Sequence, residues 1–131
     1  MPKSNSLLNG KRCLVLDDEF LIALDIQQIL ERAGAVHVTS VASATEAIEL
    51  LGRDLKFDVA VLDVKLGRVE RNSLNVAALL QTQDIPFVFL TGMRADDVHA
   101  KNFPNAPVIE KPYDAAALLR ALQHALSQDQ V

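Results

Sequence analysis

The chain has 131 residues, half of them apolar, with 13 Lys and Arg against 17 Asp and Glu for a formal charge of -4, one cysteine and no tryptophan. That length holds one compact domain with a real core, and the composition is too apolar and too weakly charged for whole-chain disorder. Mild acidity disfavours a protein that grips nucleic acid through clustered cations, a lone Cys13 forms no internal disulfide and suits a reducing, cytoplasmic interior, and no apolar run exceeds five residues where a membrane-spanning helix needs about 20.

Residues 1–10 are mostly polar, end in Asn9-Gly10 and are expected to form a frayed N-terminal tail; 128–131 form a C-terminal one, leaving 11–127 as the folded domain. Cys13-Leu14-Val15-Leu16 reads as a first strand that stops at Asp17-Asp18-Glu19. From Phe20 to Ala33, Ile22, Ile26, Ile29, Leu30 and Ala33 share one helical face, and Gly34 supplies a stop. Val36 to Val41 alternates and is β-branched, the pattern of a half-buried edge strand. Ser43-Ala44-Thr45-Glu46 is a capping box that opens a second helix closing near Gly52. Val59 to Leu62 is a third strand ending at Asp63, and Ser73 to Gln81 a third helix. Pro86 to Leu90 is a fourth strand ending at Thr91-Gly92, followed by a short, weakly apolar helix over Arg94 to Lys101. Pro107-Val108-Ile109 is a brief fifth strand before Glu110-Lys111-Pro112, and Ala115, Leu118, Leu119, Leu122 and Leu126 line a terminal helix. Strands alternating with helices predict an α/β fold, a doubly wound five-stranded parallel sheet covered on both faces. Apolar first, third and fourth strands belong at its centre and the alternating second at its edge, which gives the flavodoxin-like order 2-1-3-4-5.

That order gathers chemistry. Asp17-Asp18, Asp63, Thr91 and Lys111 each follow a strand at its carboxyl end, where open α/β sheets bind ligands. Three converging carboxylates call for a compensating cation, and Mg2+ takes one or two carboxylates together with phosphate oxygens. Lys111 and Thr91 supply donors for a phosphoryl group. With no Ser or Cys beside a His at these strand ends, the expected nucleophile is a carboxylate, and Asp63, flanked by strands on both sides, is best placed to become an aspartyl phosphate.

At these residues the chain resembles the receiver domain of two-component response regulators, over roughly residues 11 to 127. The likeness lies in Val15-Leu16-Asp17-Asp18-Glu19, Val61-Leu62-Asp63, Phe89-Leu90-Thr91-Gly92 and Glu110-Lys111-Pro112. It implies that Asp63 is the phosphoacceptor and that Asp17, Asp18 and Asp63 hold Mg2+ with the main-chain carbonyl of Lys65. It implies further that Lys111 pairs with the phosphoryl group, that Thr91 reports its arrival, and that Lys111-Pro112 is a cis peptide bond. Pro86 to Gly92, with Lys111-Pro112-Tyr113, resembles the single-domain subfamily named for a Phe-Ala-Thr-Gly motif, with Leu90 in place of its Ala. The implied donor is a sensor histidine kinase or a histidine phosphotransfer protein. The implied output is a protein partner, and the chain is expected as a monomer or a weak dimer through the face built from the 94–101 helix, the fifth strand and the terminal helix. No DNA-binding or enzymatic output unit is expected within the chain, which would act as a phosphoacceptor assisting its own phosphorylation and dephosphorylation.

Two departures from the family pattern stand out. Most receivers carry Tyr or Phe three residues before the lysine as a ring that turns inward; here Val108 occupies that place, so Tyr113 or the loop after Thr91 has to serve instead. Lys65 puts a cation beside the acidic residues, and it and Met93 resemble positions that tune phosphoryl lifetime. A Mg2+-dependent phosphohydrolase would need a second Asp where Lys65 stands, and a flavin-binding loop would not carry Asp17-Asp18-Glu19. A pseudo-receiver, binding partners without phosphorylation, is the remaining alternative. His37, His99 and His124 share no ligand spacing and read as surface residues, and Cys13 as a small core hydrophobe.

Overall fold

A computed structural model describes residues 7–53, 55–64, 71–92 and 103–128. Five strands, β1 (Arg12–Leu16), β2 (His37–Val41), β3 (Val59–Val64), β4 (Phe87–Thr91) and β5 (Val108–Glu110), form one sheet in the order β2-β1-β3-β4-β5. Every pairing is parallel. Four described helices accompany them: α1 (Phe20–Arg32), α2 (Ala44–Leu51), α3 (Arg71–Thr82) and α4 (Ala115–Gln128). The order read from strand apolarity is thus the observed one, and the physical reason is visible in burial. All five residues of β4 are buried, as are the last four of β1, whereas β2 buries only Val41.

The sheet has a core on each face. Leu14, Leu62, Phe89 and Leu80 anchor one cluster beneath α2 and α3, and Val15, Val61, Leu90, Ile26 and Leu118 anchor the other beneath α1 and α4. Alternation along each strand sends neighbours to opposite clusters. Helix α1 turns Ala23, Ile26 and Leu30 inward, and it ends where Gly34, at φ 106°, lets the Ala35 N–H reach back to the Leu30 carbonyl at 3.1 Å. Ser43 caps α2 by accepting from the Glu46 N–H at 3.2 Å, while the Glu46 carboxylate accepts from the Ala42 N–H, one residue before the position a reciprocal box would use. Asp114, which the sequence reading passed over, caps α4 by accepting from the Ala117 N–H at 2.8 Å.

Leu8 overturns part of the expected N-terminal tail. It is fully buried in the core cluster shared by α1 and α4, and its N–H donates to the Ala33 carbonyl at 2.8 Å. An apolar side chain that finds a closed site at the end of α1 orders the segment around it, whatever the polarity of its sequence neighbours. At the other end α4 continues through Gln128, one residue into the expected tail. Strand and helix bounds elsewhere differ from the sequence reading by one or two residues, and β5 begins at Val108 because Pro107 contributes only its carbonyl, which accepts from the Phe89 N–H. The helix expected over 94–101 lies outside the described residues. His37 and His124 are exposed, and Cys13 is buried, its thiol pushed up to about 12 by burial and then by Asp58.

Candidate functional site

Strand register brings the polar strand ends together. Leu16 of β1 stands opposite Leu62 of β3, so Asp17 and Asp63 follow side by side at the carboxyl edge of the sheet. Across the other side of β3, Asp63 is level with Leu90 and Val64 with Thr91, and Thr91 is level with Glu110 just before Lys111. The chain after β5 is held there by the Lys111 N–H, which donates to the Thr91 carbonyl at 2.8 Å. The next peptide bond, Lys111-Pro112, is cis.

Asp17, Asp18 and Asp63 each offer a carboxylate oxygen to one cluster, with all three oxygens within 4.8 Å of one another. Asp17 and Asp63 are buried and Asp18 is exposed, so the cluster has a dry floor and one wall open to solvent. The Lys111 ammonium reaches Asp63 Oδ1 at 2.5 Å. Thr91 is buried beside them, 1% exposed. Asp17 also shapes the local backbone, since its Oδ1 accepts from the Glu19 N–H at 2.9 Å and so leads the chain into α1. Its other oxygen, Oδ2, is buried and has no hydrogen-bond donor. The Asp63 carboxylate beside it is another acceptor, so a proton shared between the two or a cation between them would offset their repulsion. Burial, opposed by the Glu19 N–H and reinforced by the Asp63 charge, accordingly pushes the Asp17 carboxyl up to about 6.

These observations fit a small, hard divalent cation. With all three carboxylates ionised, three negative charges and one ammonium leave two negative charges at the cluster. The donors are all hard oxygens, and Asp17 Oδ2 is a buried acceptor in want of a partner. Asp17, Asp18 and Asp63 are the residues that would hold Mg2+. Lys65, whose carbonyl the resemblance adds, lies outside the described residues, and so does Met93.

The two remaining switch positions fall on either side of β5. Val108 is half-buried and packs against the core cluster that contains Phe89, its partner in the β4–β5 register. Tyr113 is half-buried on the opposite face, against the α1 and α4 cluster, and its hydroxyl donates to Asp25 Oδ2 of α1 at 3.4 Å. Its hydroxyl is pushed up to about 12, by burial first and then by the charge of Asp25. Asp25 escaped the sequence reading; its position on the polar side of α1 gives no local sign of a partner 88 residues away.

Comparison with known proteins agrees with this arrangement. The sequence matches the Response regulator receiver domain family over residues 13–123. The transcriptional regulatory protein PdtaR of Mycobacterium tuberculosis is 29% identical over 121 residues, covering 90% of this chain and 58% of PdtaR, so the chain spans little more than half of that relative. A response regulator receiver protein from Sinorhizobium medicae superposes with a TM-score of 0.80 at 28% identity, covering 93% of this chain and 98% of the other. The BeF3-activated conformation of SdrG from Pseudomonas melonis superposes with a TM-score of 0.73 at 35% identity, covering 90% and 98%.

Proposed function

The chain belongs to the response regulator receiver domain family, and from that premise we propose that it accepts a phosphoryl group on Asp63 from a phosphohistidine of a sensor histidine kinase or histidine phosphotransfer protein. The observation that carries this reading is the convergence of Asp17, Asp18 and Asp63 around a buried, donorless carboxylate oxygen, with Lys111 already on Asp63. An Asp63 carboxylate oxygen attacks phosphorus in line; its lone pair forms the new P–O bond while the P–N pair leaves with the imidazole of the donor. Mg2+, when bound, neutralises charge on the phosphoryl oxygens and the carboxylates at once.

The chain's own residues supply the rest. Lys111 exchanges its bond to Asp63 Oδ1 for one to a phosphoryl oxygen, and the Thr91 hydroxyl donates to another. Phosphorylation adds about two negative charges at neutral pH, and these two donors are the groups that respond to it. Because Lys111 and Thr91 are also joined through the backbone, their shift is expected to reach the surface around β5 and α4 and bias it toward a protein partner. A phosphohistidine donor and Mg2+ both suit a protein that works in the cytoplasm, which is where we expect it to act.

The test is incubation with Mg2+ and acetyl phosphate followed by intact mass measurement. Wild type is expected to gain one phosphoryl group that base and hydroxylamine remove, and Asp63→Asn none. A folded wild type that binds Mg2+ and gains no phosphoryl group would identify a pseudo-receiver instead.

A further inference from the structure

The opposite end of the sheet carries a cavity of about 190 Å³ that the phosphoryl chemistry does not use. It lies at the start of β4, four residues before Thr91, and a strand rises roughly 3.3 Å per residue, so it is about 13 Å from the acidic cluster. Its floor is apolar and buried, made by Ile85, Phe87 and Phe103 with Ala125 of α4. Its rim is polar and exposed, made by Gln81, Asp84 and Asn105. An engineered apolar cavity of about 150 Å³ holds one benzene, so this volume suits a single ring-sized group.

Among the described residues, charge at the rim has one sign. Helices in a parallel α/β sheet run back against the strands, so the carboxyl ends of α3 and α4 both lie at this end and present the negative poles of their dipoles. Neither helix has a basic residue in its last turn. Asp84 adds a full negative charge directly after α3, where an anion is disfavoured, and it does so at φ 59°, a left-handed conformation that Gly or Asn would adopt more readily. Among the described residues no lysine or arginine lines the cavity. Phe87 and Phe103 pack edge to face, with centroids 5.7 Å apart and ring planes at 76°, and give the floor a firm aromatic lining for an apolar ring.

We propose that this cavity binds a small organic ammonium ion whose ring-sized apolar body fills the floor and whose cationic group lies against Asp84. Asp84 is the specificity-determining group, and the inference stands independently of phosphorylation at the other end of the sheet.

Isotope-labelled full-length protein titrated with benzylammonium, benzyl alcohol and benzoate, read by amide chemical shifts, tests it. Benzylammonium is expected to give saturable shifts at Ile85, Phe87, Phe103 and Ala125, benzyl alcohol to bind roughly fivefold more weakly, and benzoate to leave these amides unmoved. Asp84→Asn, which keeps a residue tolerant of the left-handed turn and therefore the fold, is expected to weaken benzylammonium to the level of the alcohol while leaving the alcohol unchanged. Equal binding of the alcohol and the ammonium, binding of benzoate, indifference to Asp84→Asn, shifts confined to the Asp17 and Asp63 region, or no saturation in the millimolar range would each overturn the proposal.

Discussion

Replacing Asp17 by Asn in metal-free protein is expected to stabilise the fold, because the residue is held where its charge is poorly tolerated. Burial and the Asp63 charge raise its carboxyl from the ordinary 3.8 to about 6. Between those two values the folded chain binds the proton that the unfolded chain has released, so stability falls as pH rises through that window and this group's contribution is level outside it. That rise, discounted for the solvent that reaches the cluster on its Asp18 side, amounts to a penalty on the order of 1 to 2 kcal/mol at neutral pH. Asn keeps Oδ1 for the Glu19 N–H and offers Nδ2 where Oδ2 now has no donor. For a domain of this size, relief of the penalty corresponds to a rise in Tm on the order of 5 °C. Thermal unfolding in chelator at neutral pH and again near pH 4 reads it, with the gain expected at the higher pH and largely absent at the lower. Mg2+ should stabilise wild type and narrow the gap, since a ligand at about 100 times its Kd contributes about 2.7 kcal/mol. Identical melting of wild type and Asp17→Asn in chelator at neutral pH would refute the reasoning.

Other consequences can be measured as directly. Leu8→Ala should lower stability by about 2 to 4 kcal/mol, read as a fall in the urea midpoint; an unchanged midpoint would mean that the segment before β1 is not packed. Cys13, with its thiol raised to about 12, should resist alkylation at mildly alkaline pH until urea unfolds the chain, and rapid labelling of the native protein would contradict its burial. Thr91→Ala should still take up a phosphoryl group on Asp63 yet lose most of the phosphorylation-linked shift in the amides from Lys111 to Tyr113; a full wild-type shift would remove Thr91 from the response.

The fold was legible because its elements announce themselves locally: β4 is apolar on both faces and β2 alternates, which separates centre from edge before any contact is known. The site was legible for a topological reason. In a parallel sheet all strands end on one side, so Asp17, Asp63, Thr91 and Lys111, which lie far apart in sequence, had to meet once their strands were neighbours. What depended on a tertiary partner was not legible. Leu8 and its neighbour Leu7 form a short apolar pair in an otherwise polar stretch, and the burial of Leu8 is decided by Ala33 and the cluster of α1 and α4. The Tyr113–Asp25 contact likewise joins two positions with no common period. The Asp84 turn has only an unusual φ to mark it, and its sequence, Gln83-Asp84-Ile85, carries none of the glycine that such a turn favours.

The absence of an aromatic at 108 acquires a structural explanation from the strand beside it. Phe89 is fully buried, lies level with Val108, and sits two residues before Thr91 on the same face of β4. Its ring is 5.4 Å from that of Phe87 and 6.0 Å from that of Phe103. Among the described residues, the interior beneath Thr91 is therefore occupied from β4 by a ring held in a cluster, rather than from β5. Valine at 108 is itself stiff about χ1, so it has little to contribute by rotation. Any rearrangement that follows Thr91 must then pass along the backbone: forward from Gly92, or across the hydrogen bond from Lys111 to the Thr91 carbonyl and on to Tyr113. Beryllofluoride bound in the presence of Mg2+ should thus shift Gly92 and Tyr113 resonances strongly while leaving the Val108 methyls and the Phe89 ring nearly unmoved. A large displacement at Val108 with Tyr113 silent would show that β5 switches from its inner face after all, and that the Phe89 cluster yields to it.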